Sequence, residues 1–315
     1  MQSKFPQGIM FHHFHDKSKH PKGQGSISKD DFYRLIKYVG KKNILNAEDF
    51  LEKYIKHQLK DTDTTFTFDD TIRCQFDIAL DVLESTKIKA FFFAYTSVYE
   101  GKSDNMELFR YFRLNFFDNI NLFYKEYYKV INFNLEKFFQ KKQKEILIRK
   151  KKFPFYSIMD IKFRVLRDSM SPKDYHANMQ KLFYLKNFDE KKYFNNIFLK
   201  KSDLKTIHKL GHKIGLHSHN HPISMEKISI KTQKNEFSLN QKKISEILGV
   251  HKSTINSMSH PYGAYNKDTL RILKKLNIKI GFKEHNYIDG SMKKINNSDL
   301  EIARENHVNI MNKIS

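Results

Sequence analysis

The chain predicts an α/β fold in which strands and helices alternate around a parallel sheet or barrel, broken by a helical insertion. Three observations carry this. Short β-type apolar runs alternate with helical periodicity before residue 103 and again after residue 200. Between them the sequence turns Lys-rich, aromatic and helix-like, with runs such as Leu108-Phe109-Arg110-Tyr111-Phe112. Finally, the segments richest in chemistry, Asp69-Asp70, His217 to His221 and Ser259 to Tyr262, each fall just past an expected strand, where parallel α/β folds place their sites.

In order, residues 8–11 read as a strand leading into His12-His13-Phe14-His15. A helix follows with Ser28 as N-cap and Phe32, Leu35, Ile36 and Val39 at helical spacing. Residues 46–58 predict a helix, 64–68 a buried strand, 73–83 a helix and 88–94 a strand. Pro154 and Pro172 interrupt the middle block, 103–200. The rhythm then resumes with helix 202–210, strand 213–216, helix 230–248, strand 254–258, helix 267–276 and strand 279–282. The expected organisation is one α/β domain over residues 1–315 with residues 103–200 inserted. The insertion reads either as a small helical core or homo-oligomer surface, or as a lid for a phosphate-bearing substrate.

Composition bounds the function. With 315 residues, 39% hydrophobic content, 28 Phe and 16 Tyr, the chain buries a full core and is not disordered. Its formal charge of +22 raises nucleic acid or an anionic surface as partners. The lysines are nevertheless spread over the chain, a bias that AT-rich coding alone produces, so no nucleic acid and at most peripheral membrane contact are expected. Cys74 is the single cysteine, which excludes an internal disulfide. Residues 1–6 lack the apolar core of a secretory signal, and runs such as 90–95 are too short to cross a bilayer, so a cytoplasmic setting is expected.

The chemistry centres on His217-Ser218-His219-Asn220-His221 and on Asp69-Asp70. Two histidines four apart, joined by a carboxylate from another strand, form a donor set suited to a divalent cation, Zn2+ before others. Asp70 is the expected third ligand beside His217 and His221, leaving Asp69 to take a proton from a hydrolytic water. The plainer readings are an Asp pair capping the following helix and histidines that are merely packed or exposed. His208 and His212 read as structural.

These segments resemble the motifs of the polysaccharide deacetylase family, carbohydrate esterase family 4. Its T-F-D-D motif is met by Thr67-Phe68-Asp69-Asp70 and its H-[ST]-x-x-H motif by His217 to His221. A third motif is met in part by Ser259-His260-Pro261-Tyr262-Gly263-Ala264-Tyr265-Asn266. The similarity spans roughly residues 5–100 and 200–310 and leaves the insertion outside. It implies a distorted (β/α) barrel that removes an acetyl group from an N-acetylated amino sugar; the basic charge, not the resemblance, adds a nucleotide- or lipid-linked form as a candidate substrate. It further implies Asp69 as general base, Asp70, His217 and His221 as metal ligands, and the Tyr262 backbone N–H as an oxyanion donor.

Two departures stand out. The family's arginine in the third motif is replaced by Ser259, which leaves Arg304 as the candidate partner for Asp69. The late Leu-x-His motif that supplies the general acid is matched only by Glu305-Asn306-His307, so His307 is the expected acid, with His13 as its substitute. These gaps keep a catalytically degenerate carbohydrate-binding barrel open as a rival, and the charge alone keeps a nucleic-acid binder.

Overall fold

The computed structural model describes residues 7–102, 105–152, 156–284 and 298–314. Pro154 and residues 1–6, to which sequence expectations were attached, lie outside these. Two compact units emerge, Met1–Ser103 with Asn195–Ser315, and Asp104–Phe194.

Among the described residues the first unit carries the strands β1 (Gln7–Phe11), β2 (His13–His15), β3 (Ser26–Ser28), β4 (Thr64–Phe68), β5 (Phe91–Ala94), β6 (Lys213–Leu216), β7 (Ser257–Ser259), β8 (Ile280–Phe282) and β9 (Arg304–Asn306). Seven of them pair in the order β8-β7-β6-β5-β4-β1-β9, every pairing parallel. The two edges meet where Gly281 donates to the Asp299 carbonyl (2.8 Å) and Ile302 donates to Gly281 (2.8 Å). The result is a nearly closed parallel barrel surrounded by helices. Gly281 permits that closure, because a Cβ there would sit 2.8 Å from the Leu300 carbonyl oxygen. β2 and β3 pair separately; strands of three residues in a His- and Ser-rich stretch carry too little apolar pattern to be expected.

The helices, in chain order, are α1 (Lys29–Val39), α2 (Ala47–Ile55) and α3 (Leu80–Thr86), then α4 (Asn105–Asn115), α5 (Ile120–Lys129), α6 (Leu135–Lys141), α7 (Gln143–Lys152), α8 (Ile158–Asp168), α9 (Pro172–Leu185) and α10 (Glu190–Ile197), and finally α11 (Lys201–Lys209), α12 (Ile230–Leu248), α13 (Lys267–Lys275) and α14 (His307–Ile314). Ser28 caps α1 by accepting from the Asp31 N–H. The helix expected over 73–83 begins instead with a π-type turn at Gln75–Ala79. No helix among the described residues is long and apolar enough to cross a membrane.

The barrel strands are buried on both faces, which explains their near-continuous apolar runs. Phe91 and Phe93 of β5 join one cluster with Phe50, Ile280 and Phe282, whereas Phe92 joins another with Phe11, Phe66 and Phe68. Phe68 and Phe92 stack with centroids 4.6 Å apart. The threonines of β4 stay satisfied in this setting: Thr64, Thr65 and Thr67 hydroxyls donate to the carbonyls of Gln7, Leu45 and Ile9.

The second unit has its own core, with Phe112 against Phe183 (4.6 Å) and Phe188 (5.1 Å), and Phe123 against Phe163 (5.3 Å). Pro172 opens α9 behind the N-cap Ser171, where its missing N–H costs nothing.

Gly215 of β6 has no room for a side chain, since a Cβ would lie 2.6 Å from both the Phe93 ring and the Ser257 carbonyl. Gly215→Ala should therefore lower unfolding free energy by about 2 kcal/mol or more. Urea denaturation of the two proteins measures it, and an unchanged midpoint would refute the tight fit.

Candidate metal centre

The site is assembled from residues immediately past the ends of β1, β4, β6 and β7. Asp69 and Asp70 leave β4, and the chain turns at once through positive φ at Asp70 (74°) and Thr71 (57°). Ser218 (63°) and His221 (54°) curl the segment after β6, and Tyr262 (53°) does so after β7. None of these is glycine, so backbone strain is gathered around one locus and held there by the surrounding bonds. Gln75 is one such tie, its amide donating to the carbonyls of Asp69 (2.6 Å) and His12 (3.0 Å).

Three sequence-distant side chains converge. Nε2 of His217 lies 3.1 Å from Asp70 Oδ1, and Nε2 of His221 lies 3.2 Å from the same oxygen. All three donor atoms fall within 4.8 Å of one another. His217 Nδ1 is 2.9 Å from the Ser259 carbonyl, to which it must donate, so neutral His217 turns an unprotonated Nε2 toward the carboxylate. The arrangement, two imidazoles and a carboxylate with one imidazole steered by a backbone carbonyl, fits a divalent metal. Burial works to raise the Asp70 carboxyl, but His12, His221 and His217 outweigh it and hold the group well below the ordinary carboxylate range.

Asp69 points elsewhere. Nη1 of Arg304, from β9, lies 2.8 Å from both of its carboxylate oxygens, and Ser259 Oγ donates to Oδ2 at 3.0 Å. Arg304 is itself 1% exposed and Asp69 2%, so the pair is sealed from water on the protein side. Burial pushes the Asp69 carboxyl up, while Arg304 first and His217 next bring it below its usual value.

The other candidates fall at graded distances. Tyr262 stacks at 4.7 Å on the His221 ring, which meets Tyr95 at 4.9 Å. His307 is the first residue of α14. Its Nδ1 lies 3.1 Å from the Met10 carbonyl, its ring stacks on Phe11 at 5.2 Å, and burial presses its pKa down to about 4. His13 belongs to β2, with its ring 6.3 Å from that of His12. His12 is the residue that meets the centre: Nε2 lies 3.6 Å from Asp70 Oδ2 with the side chain 28% exposed. The sequence reading preferred its neighbours. The signal was present, because His12 is the first residue past β1, as Asp69 is past β4 and His217 past β6.

Among the described residues the barrel carries at the C-terminal ends of its strands one cluster that could hold a metal ion, Asp70, His217 and His221. Residues 175–281 match the family model described as polysaccharide deacetylase, a stretch that includes both His217 to His221 and Ser259 to Tyr262. Over that stretch the chain resembles the polysaccharide deacetylase family. Solved structures agree in fold. The deacetylase PplD of Streptococcus pyogenes, in complex with acetate, is 16% identical with a TM-score of 0.57, covering 97% of this chain and 93% of that one. IcaB from Ammonifex degensii is 11% identical with a TM-score of 0.55, covering 96% and 92%. A de-N-acetylase from Aggregatibacter actinomycetemcomitans is 12% identical with a TM-score of 0.54, covering 95% and 94%. No curated protein gives a sequence match.

His212, His260 and His307 are all buried and depressed to about 4 from 6.5, burial being the main cause in each. The folded state holds them neutral while the unfolded chain protonates them. Stability should thus be full above about pH 6.5 and fall as pH drops toward 4, by at most on the order of 3 kcal/mol per group. His260 Nε2 donates to the Leu300 carbonyl, so His260→Asn, which keeps a donor but cannot titrate, should flatten part of that slope in denaturant titrations. A wild-type slope of zero across this window would contradict the assignment.

Proposed function

We propose that the chain hydrolyses the N-acetyl group of an amino sugar at a zinc centre held by Asp70, His217 and His221. The observation that carries the reading is the division of labour between adjacent aspartates: Asp70 faces two imidazoles while Asp69 is gripped by Arg304 and Ser259. When bound, a divalent cation there supplies Lewis acidity toward a carbonyl oxygen and toward water.

The protein's own groups do the rest. Asp69, kept ionised by Arg304, takes the proton of the attacking water. Arg304 and Ser259 fix the carboxylate's direction, filling the part of the family's motif arginine. The pairing supports a working base over a degenerate binding barrel. The backbone N–H of Tyr262 serves the developing oxyanion. For the leaving amine, His12 is better placed than His307 or His13 as proton donor: its side chain is 28% exposed beside Asp70, whereas His307 is 2% exposed. The net charge of +22 favours a phosphate-bearing form of the sugar, a nucleotide- or lipid-linked precursor in the cytoplasm, over a neutral polymer.

Acetate release from free, nucleotide-linked and oligomeric N-acetyl amino sugars, with and without chelator, tests the reading. At least one compound should yield acetate, chelation should abolish it, and zinc should restore it. Asp69→Asn should cut kcat by about 10²–10⁴-fold with zinc still bound, and His12→Ala should fall in the same range. Full turnover in the His12 variant would return the acid role to another histidine, and full turnover in Asp69→Asn would remove the proposed base.

A further inference from the structure

We propose that Glu236 and Asn240, one turn apart on α12, are positioning residues that set the metal affinity of the site by clamping the backbone of the His217–His221 segment. The inference rests on the metal reading above. That segment lies past the end of β6, so its N–H groups have no strand partner. α12 provides one. Oε2 of Glu236 accepts from the N–H of His219 (3.0 Å) and of Asn220 (2.7 Å), and Oε1 accepts from Asn220 Nδ2 (2.7 Å). Oδ1 of Asn240 accepts from the N–H of His217 (3.0 Å), while its Nδ2 donates to Ala94 O (2.9 Å) and Thr96 Oγ1 (3.1 Å).

Both side chains are buried, 5% and 0% exposed, and the three close partners of the Glu236 carboxylate are all N–H groups of this segment. Charge-assisted bonds of this kind are strong and directional. The segment is held from the opposite side as well, since Thr96 and Ser97 N–H both donate to the His219 carbonyl (3.2 and 2.9 Å) and Thr96 Oγ1 shares a hydrogen bond with His219 Nδ1 (2.9 Å). His219, the middle imidazole, is thereby a strut and not a ligand. The clamp also overcomes the positive φ at Ser218 and His221, the two turns that aim the flanking imidazoles at one point.

A residue that only stabilised the fold would leave the cation's affinity alone, and the same helix offers the comparison. Gln241, 5% exposed, donates to the carbonyls of Ile255 and Leu276, away from the metal segment. Zinc dissociation constants by competition with a chelating dye, and melting temperatures of the metal-free proteins, should be measured for wild type, Glu236→Gln and Gln241→Ala. Glu236→Gln keeps the shape but turns an NH2 toward N–H groups; it should raise the zinc Kd by about 10–100-fold. Gln241→Ala should lower the melting temperature and leave the Kd unchanged. If Glu236→Gln does not fold, Asn220→Ala, at an exposed residue, removes one of the three contacts and should weaken zinc by about threefold or more.

A Glu236→Gln Kd within about twofold of wild type, or an equal loss in Gln241→Ala, overturns the clamp. Failure of the wild type to bind zinc at all overturns the metal reading instead, so the two are told apart.

Discussion

Two neighbouring carboxylates buried side by side are the constraint on which this barrel turns. Adjacent negative charges in a low-dielectric setting repel, and each alone is costly to bury. The chain resolves this by sending them apart. Positive φ at Asp70 directs its side chain to the imidazoles of β6, while Asp69 meets Arg304 arriving from β9. Strand order makes this possible, since β4 lies between β5 and β1, with β6 and β9 one strand further out on either side.

Much of this was legible. The strands Thr64–Phe68 and Lys213–Leu216 coincide with the runs read from sequence, because each is a short apolar stretch ended by polar residues of unlike character. The reading of 88–94 shrinks to Phe91–Ala94, since the first residues bond out of register, Ile88 N–H to Leu83 and Ala90 N–H to the His212 ring. The strand expected at 254–258 shifts to Ser257–Ser259 because Lys252–Thr254 forms a tight helical turn. Periodicity reports which face is buried and not where hydrogen bonding begins.

For the site, residue type and strand-end placement sufficed to mark Asp69, Asp70, His217 and His221 as companions. Choosing among His12, His13 and His307 needed three dimensions, since all three are histidines near expected strand ends. What distinguishes them is β2: its pairing with β3 enlists His13, leaving His12 as the single link between β1 and β2. Glu236 and Asn240 carried no signal, being ordinary polar residues inside a long polar helix whose burial only packing reveals.

The link between Asp69 and Arg304 spans 235 positions. Until β9 docks, Asp69 is solvated and not buried, and the two groups pair only as the barrel closes. A contact so remote along the chain carries a large loop-closure cost, so this carboxylate meets its counter-charge late, when β9 joins the sheet beside β1.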